Sequence, residues 1–163
     1  MPPSIDSEEP AVTEIEFTPL FVVEFQTSPQ VVGDVPMGYF RRAGIIASGT
    51  FTGERLSGTV MPGGGDWLRK GPDGVTHLDV RAILRTESGD GIYMTYTGRL
   101  KTSSEVAERL LRREAVSTNE MYFRTAVAFE TAAPDLLWLN DIVAFGMGHS
   151  TPTGPRYEIF ELL

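Results

Sequence analysis

The sequence predicts a mainly β protein: an antiparallel barrel or sandwich of about eight strands with one short helix. Three observations predict it: short β-rich runs recur along the chain, turn residues separate them, and a single segment has helical spacing. The eight runs span residues 20–26, 43–51, 56–61, 77–86, 92–99, 121–131, 138–145 and 156–162. Strands at this spacing are typical of β-sandwiches and barrels.

Each connection has its own local chemistry. Gly89-Asp90-Gly91 lies between two long runs and predicts a tight hairpin. One segment has apolar residues at helical spacing, namely Val106, Ala107, Leu110 and Leu111. Thr102 and Glu105 form a capping-box pair there. Two charge pairs lie four residues apart, Glu105 with Arg109 and Glu108 with Arg112. We expect a helix of about three turns whose apolar stripe closes one end or side of the barrel.

The chain divides into a tail and one domain. Residues 1–17 contain three prolines and five acidic residues without a lysine or arginine, so we expect a disordered tail. Residues 18–163 are enough to bury a core as a single β domain. Because cysteine is absent, a disulfide framework and thiolate chemistry are excluded.

Charge and motif content exclude several function classes. The net charge of −8 disfavours nucleic acid and anionic membranes as partners, and no apolar run is long enough to span a bilayer. With no secretory signal pattern, we expect a cytoplasmic protein. The two histidines, His77 and His149, have no ligand spacing, and there is no nucleotide or serine-hydrolase fingerprint, so we expect neither a metal nor a cofactor.

The segment with most chemical content is the glycine-rich turn that precedes the fourth run. Gly63, Gly64 and Gly65 lead into Asp66 and Trp67, a carboxylate and an indole at a strand end. One interpretation is a tight loop with Trp67 as a hydrophobic plug. The other is a ligand site in which Asp66 and Trp67 face the substrate.

The facing of the run 77–86 is a second open question. Strand alternation places Leu78 and Val80 on one face and Asp79 and Arg81 on the other. Periodicity alone favours the apolar face in the core and the polar face in water. If instead both faces are covered, Asp79 and Arg81 line a polar pocket. If Asp79 and Arg81 are buried, an enzyme is indicated. If Val80 and Leu84 are buried around an apolar cavity, a carrier is indicated.

Later runs add further candidates for contacts with a small molecule. Tyr122 and Arg124 share one strand face, and alternation again favours their exposure. Trp138 and Asn140 share a face of the next run, and an indole beside a carboxamide suits a flat oxygenated ligand, or equally an ordinary buried tryptophan. Tyr96 offers a phenol as donor or acid, or packs in the core.

Taken in order, several short motifs resemble domain-of-unknown-function family 3237 over residues 18–163. They are 62–67 (Pro-Gly-Gly-Gly-Asp-Trp), Asp73-Gly74, Asp79-x-Arg81, Tyr96-x-Gly98, 122–125 (Tyr-Phe-Arg-Thr), 129–131 (Phe-Glu-Thr) and 138–140 (Trp-Leu-Asn). The resemblance implies a small calycin-like antiparallel barrel, commonly a homo-oligomer. It also implies kinship with cofactor-free cyclases of natural-product pathways that add a hydroxyl across an activated alkene.

We therefore expect a cofactor-independent lyase or isomerase, a cyclase or hydratase acting on a small organic molecule of natural-product or aromatic metabolism. In this hypothesis Asp66 or Asp79 takes the proton and Arg81 and Arg124 stabilise the developing oxyanion. The residues expected to orient the substrate are Trp67, Tyr96, Tyr122, Trp138 and Asn140. The alternatives are a non-catalytic carrier or sensor that uses the same barrel, and an interaction module assembled through its apolar faces.

Overall fold

The computed structural model describes residues 13–163. The strands are β1 (Phe17–Val35), β2 (Tyr39–Thr52), β3 (Ser57–Val60), β4 (Gly65–Asp66), β5 (Arg69–Lys70), β6 (Thr76–Thr86), β7 (Gly91–Lys101), β8 (Tyr122–Glu130), β9 (Val143–Thr151) and β10 (Gly154–Leu162). The helix α1 (Ser104–Leu111) follows β7, and a 3-10 helix (Pro134–Asn140) follows β8.

The strands form a closed antiparallel barrel. The order β1-β10-β9-β8-β7-β6 continues through β3, β4 and β5 to β2, which pairs with β1 and closes the ring. Closure leaves few unpaired strand edges, and unpaired edges are the part of a sheet that promotes edge-to-edge aggregation. The predicted fold class is confirmed, with ten strands rather than about eight. The two unpredicted strands, β4 and β5, contain only two residues each.

β3, β4 and β5 together act as one interrupted strand. Each of them pairs with β2 on one side and β6 on the other. In β4 the partner of Asp66 is Gly44 on β2 and Val80 on β6. This pairing fixes the facing of Asp66, which lies on the inner side together with Leu68 and Lys70.

The core fills one half of the barrel. On β6 the inward residues Leu78, Val80 and Leu84 are buried, so the apolar face of this strand lies inside, as alternation predicts. Phe21 packs edge-on against Phe51 and Phe129, with ring centroids 5.4 and 5.8 Å apart. Side chains of this size contribute about 1.5–3 kcal/mol each when buried.

The two ends of the barrel differ. We call the end formed by Phe40 of β2, Thr76 of β6 and Leu100 of β7 the open end, because these residues line a cavity there. The opposite end, the closed end, carries the 3-10 helix, whose Leu139 is fully buried in the core. α1 lies at the open end, where its Ala107, Leu110 and Leu111 contribute to the lining of the cavity.

Details of α1 differ from the prediction. The helix has eight residues, about two turns, and its N-cap is Ser103, whose Oγ accepts the Val106 amide at 3.2 Å, rather than Thr102. Arg109 pairs with Glu120 at 2.6 Å and with Glu114 at 3.3 Å instead of Glu105. The loop after the helix brings these acids closer to the guanidinium than the helix surface does.

The prediction of a strand over residues 138–145 is wrong for the first half of that run. Residues 134–140 form the 3-10 helix, and β9 begins at Val143. Pro134 suits the first turn of a helix because it needs no amide donor there. The Asn140 side chain holds the turn by accepting the Thr131 amide at 3.0 Å and donating to the carbonyl oxygens of Thr131 and Leu137. Trp138 and Asn140 therefore do not share a strand face.

Of the predicted tail, residues 1–12 lie outside the described residues. Among residues 13–163 the barrel begins at Phe17, and Glu16 already accepts a hydrogen bond from the Leu163 amide. In the described part of the chain, neither helix has the length and apolar character needed to cross a bilayer.

Candidate functional site: a cavity with a buried carboxyl group

A cavity of about 530 Å³ occupies the open half of the barrel. This volume lies within the range of small-molecule sites, about 300–1,000 Å³. Its walls are mostly apolar and include Phe25, Ile46, Leu78, Leu100 and Phe123, while Ala107, Leu110 and Leu111 of α1 lie across its mouth.

Asp66 is the single acidic side chain in this lining among the described residues. Its Oδ1 accepts the Asp79 amide at 3.0 Å, so a backbone donor fixes the carboxyl group. Burial raises the pKa of Asp66 from 3.8 to about 6, opposed by that hydrogen bond and by the positive charge of Arg42, and helped by the negative charge of Asp79. No donor within residues 13–163 reaches its second oxygen, Oδ2, which is left for a ligand.

Arg42 supplies the positive charge beside this carboxyl group. It belongs to the inward row of β2 with Phe40, Gly44 and Ile46, and it is half-buried. Among the described residues Arg42 forms no ion pair, and its guanidinium donates no hydrogen bond. Most other arginines of the barrel have a carboxylate or a carbonyl partner. Arg42 is thus available to a ligand in the cavity.

Tyr96 and Tyr157 form the inner wall near Asp66. Both are buried, and their rings meet edge-on with centroids 5.1 Å apart. Burial raises the pKa of each phenol above its usual range, and the negative charge of Asp66 adds to this effect. The two phenols therefore stay protonated at neutral pH.

Gly44 leaves open space beside Asp66. A Cβ atom built there would meet nothing closer than the Asp66 Cβ at 4.0 Å, and the backbone does not have a positive φ. By contrast, the inward glycines of β9 are required by packing, since a Cβ on Gly148 would lie 2.4 Å from the ring of Phe123. Neither strain nor crowding requires a glycine at position 44. Its effect is to keep the carboxyl group accessible from the cavity.

The structure brings two of the predicted site residues together, Asp66 and Tyr96. Asp79 and Arg81 would line a polar pocket if both faces of β6 were covered. They lie instead on the outer face of β6. There they form an ion pair at 3.2 Å with both side chains about half-exposed. Leu78 and Val80 occupy the inner side of the strand, so alternation forces their neighbours outward. Trp67 is also outside, with the Arg81 guanidinium 5.7 Å from its ring centroid.

The other predicted residues lie away from the cavity as well. Tyr122 is exposed, and Arg124 on the outer side of β8 donates to Thr118 Oγ1 at 2.7 Å. Trp138 belongs to the 3-10 helix at the closed end, with Arg55 stacked 3.7 Å over its ring. Asn140 holds the same helix. Their positions correct the expectation that they share a site with Asp66.

Sequence reasoning missed Arg42 and Tyr157. Alternation in β10 could have placed Tyr157 inward, because Tyr157 and Ile159 share one face. For Arg42 the signal was weaker, because an inward arginine in a strand contradicts the usual pattern. Among residues 13–163 there is no cluster of three or more metal-ligating side chains.

The fold and the cavity define the class: a closed antiparallel β-barrel that encloses an apolar pocket with one ionisable carboxyl group. Residues 15–162 match the family described as "Protein of unknown function (DUF3237)", and the chain belongs to this family. The chain is 30% identical over 129 residues to a UPF0311 protein of Clostridium acetobutylicum, which covers 78% of this chain and 82% of that protein.

Solved structures share the fold. A conserved protein of unknown function from Rhodopseudomonas palustris superposes with a TM-score of 0.87 at 25% identity, covering 93% of this chain and 100% of the other. A β-barrel-like protein from Acinetobacter baumannii gives 0.78 at 28% identity over 95% and 100%. An enzyme from Penicillium herquei gives 0.67 at 18% identity over 95% and 99%, a similarity that shows the fold alone.

Proposed function

We propose that this protein is a cofactor-independent lyase or isomerase of the cyclase or hydratase type, in which Asp66 exchanges a proton with a small organic molecule bound in the barrel. The observation that carries the proposal is the position of Asp66, in an apolar cavity with a pKa of about 6. A carboxyl group with this pKa is present in both protonation states near neutral pH, as acid–base catalysis requires. The proposal places this reaction in natural-product or aromatic metabolism, which the genomic neighbours of the gene test. It also places the protein in the cytoplasm, which subcellular fractionation tests.

The proposed reaction adds a hydroxyl group or water to an activated alkene. Asp66 takes the proton of the attacking O–H group as the C–O bond forms, and the alkene electrons move to the carbonyl oxygen of the substrate as an enolate. Tyr96, Tyr157 and Arg42 line the same cavity as Asp66, and in this proposal their hydroxyl and guanidinium groups stabilise the enolate oxygen. Asp66 then returns the proton to the α-carbon, so the reaction consumes no other reactant.

The experiment uses a panel of hydroxy-enones and enones in D₂O, followed by NMR. We expect one deuterium at the α-carbon of the product, and we expect Asp66→Asn to lower the rate by about 10²–10⁴-fold, the usual contribution of a positioned acid–base group. Asp79→Asn is the comparison variant, because the sequence offered Asp79 as the other carboxylate that could take the proton. A fully active Asp66→Asn protein, or an inactive Asp79→Asn protein that still folds, would refute the assignment.

A carrier or sensor is the second candidate, and the facing of β6 favours it. Buried Val80 and Leu84 around a mostly apolar cavity are the features expected of a carrier. Asp66 inside the same cavity is not, because binding alone does not require a carboxyl group that is costly to bury. Ligands extracted from the purified protein distinguish the two: a carrier returns them unchanged after incubation, whereas an enzyme converts them.

The proposal includes a homo-oligomer. Phe17, Phe145 and Phe160 form an aromatic cluster on the outer face of β1, β9 and β10, with centroid distances of 5.2–5.6 Å. Phe17 is 56% exposed and Val143 beside the cluster 66%. Exposed apolar surface of this kind is typical of contacts between protein chains, and a second copy of the barrel would bury it.

A further inference from the structure

The charge of the cavity lining is opposite to that of the whole protein. The chain carries 22 acidic and 14 basic residues. The cavity is lined by three basic side chains, Arg42, Lys70 and Arg113, and by one acidic side chain, Asp66. Lys70 and Arg113 are exposed and lie at the mouth, whereas Arg42 is half-buried inside. A basic pocket in an acidic protein attracts negatively charged molecules and repels cations.

Arg42 is the least exposed of the three basic side chains, and within the described residues it has no ion-pair partner. A half-buried guanidinium has lost part of its hydration, which an anionic ligand group replaces by charge-assisted hydrogen bonds. On the inward row of β2, Gly44 follows Arg42 at a distance of two residues, about 7 Å along a strand. Gly44 pairs with Asp66. A ligand held at Arg42 therefore reaches Asp66 through the space that Gly44 leaves open.

We propose that the ligands of this cavity are organic monoanions, with a carboxylate, enolate or phenolate at Arg42 and an apolar body against Leu78, Leu100 and Phe123. This inference rests on the proposed function for the role of Asp66, and it adds the substrate class. One inner arginine facing mostly apolar walls fits a single charge on an apolar body. A polyanion such as a nucleotide would need several inner positive charges for its phosphates, whereas Arg42 is the single basic side chain of the described lining that is not exposed.

The test compares two fluorescent probes with the same ring system. 8-Anilinonaphthalene-1-sulfonate carries one negative charge, and N-phenyl-1-naphthylamine carries none. We expect the wild-type protein to bind the anionic probe at least about tenfold more tightly, the effect of one good ion pair. Arg42→Gln should abolish this preference and leave the affinity for the neutral probe unchanged, whereas Arg42→Lys should keep part of it.

Two further variants control for location and overall charge. Arg99→Gln removes the same charge from the outer face of β7, and the preference should persist. A Cβ atom at Gly44 meets nothing closer than 4.0 Å, and Gly44→Leu extends a side chain into the space beside Asp66, so it should weaken the binding of both probes. Circular dichroism and urea unfolding establish that each variant is folded.

The outcomes separate this inference from the proposed function. Equal affinity of the wild-type protein for the two probes, or a preference that survives Arg42→Gln, overturns the anion inference and leaves the assignment of Asp66 standing. Binding of neither probe, or binding that Gly44→Leu does not weaken, also overturns it. Conversely, unchanged turnover by Asp66→Asn overturns the acid–base proposal, while the preference due to Arg42 stands.

Discussion

Replacement of Asp66 by asparagine should stabilise the protein while it removes the proposed activity. Asparagine has nearly the same shape, and its Oδ1 can still accept the Asp79 amide, so the barrel is not disturbed. The pKa of Asp66 rises from 3.8 to about 6 because the ionised carboxylate is poorly solvated in the cavity. Since one pKa unit corresponds to about 1.4 kcal/mol, ionised Asp66 costs about 3 kcal/mol of folding free energy.

The pH dependence of this cost has a definite sign. The folded protein holds the Asp66 proton more tightly than the unfolded chain, so stability falls as pH rises between about 4 and 6. Below this window both states are protonated, and the wild type and Asp66→Asn should be equally stable. Above pH 6 the variant should be more stable by up to about 3 kcal/mol, and this difference should then remain constant.

Urea unfolding followed by circular dichroism, at intervals from pH 3.5 to 8, measures the free energy of unfolding of both proteins. Titrations common to the two proteins cancel in the difference. The control is Asp79→Asn, a half-exposed carboxylate whose replacement should change stability by less than about 1 kcal/mol at every pH. A flat difference between wild type and Asp66→Asn, or one that changes in the opposite direction, would refute a buried carboxyl group at this position.

Three further predictions concern activity, packing and assembly. If Asp66 is the base, kcat/KM should fall about tenfold per pH unit below pH 6, and a pH–rate profile that is level down to pH 5 contradicts it. Gly148→Ala should lower the free energy of unfolding by about 1–3 kcal/mol, because its Cβ would meet the Phe123 ring at 2.4 Å; an unchanged urea midpoint would argue against this contact. Phe145→Glu should reduce the mass measured by light scattering to that of a monomer, whereas Ile83→Glu on the outer face of β6 should not; a monomeric wild type contradicts the proposed oligomer.

Local patterns in the sequence were sufficient for most of the barrel. β6, β7 and β8 are long strands with strict alternation, and long alternating strands fix their own facing. The exception, residues 134–140, is apolar enough to resemble a strand. There Pro134 and the Asn140 side chain favour a helical turn, and Leu139 packs into the core from it. The secondary structure of a short apolar segment is ambiguous from sequence, because its side chains can be buried equally well from a strand or from a helix.

The sequence by itself predicted an antiparallel barrel or sandwich with one short helix, and it made Asp66 and Tyr96 candidates for chemistry. Only the tertiary structure decided that Asp66 lies inside and Asp79 outside. β4 has two residues and therefore no periodicity of its own, so its facing comes from pairing with Gly44 and Val80, which are distant in sequence. The same closure of the barrel brings Arg42 and Tyr157 to the carboxyl group from strands at opposite ends of the chain.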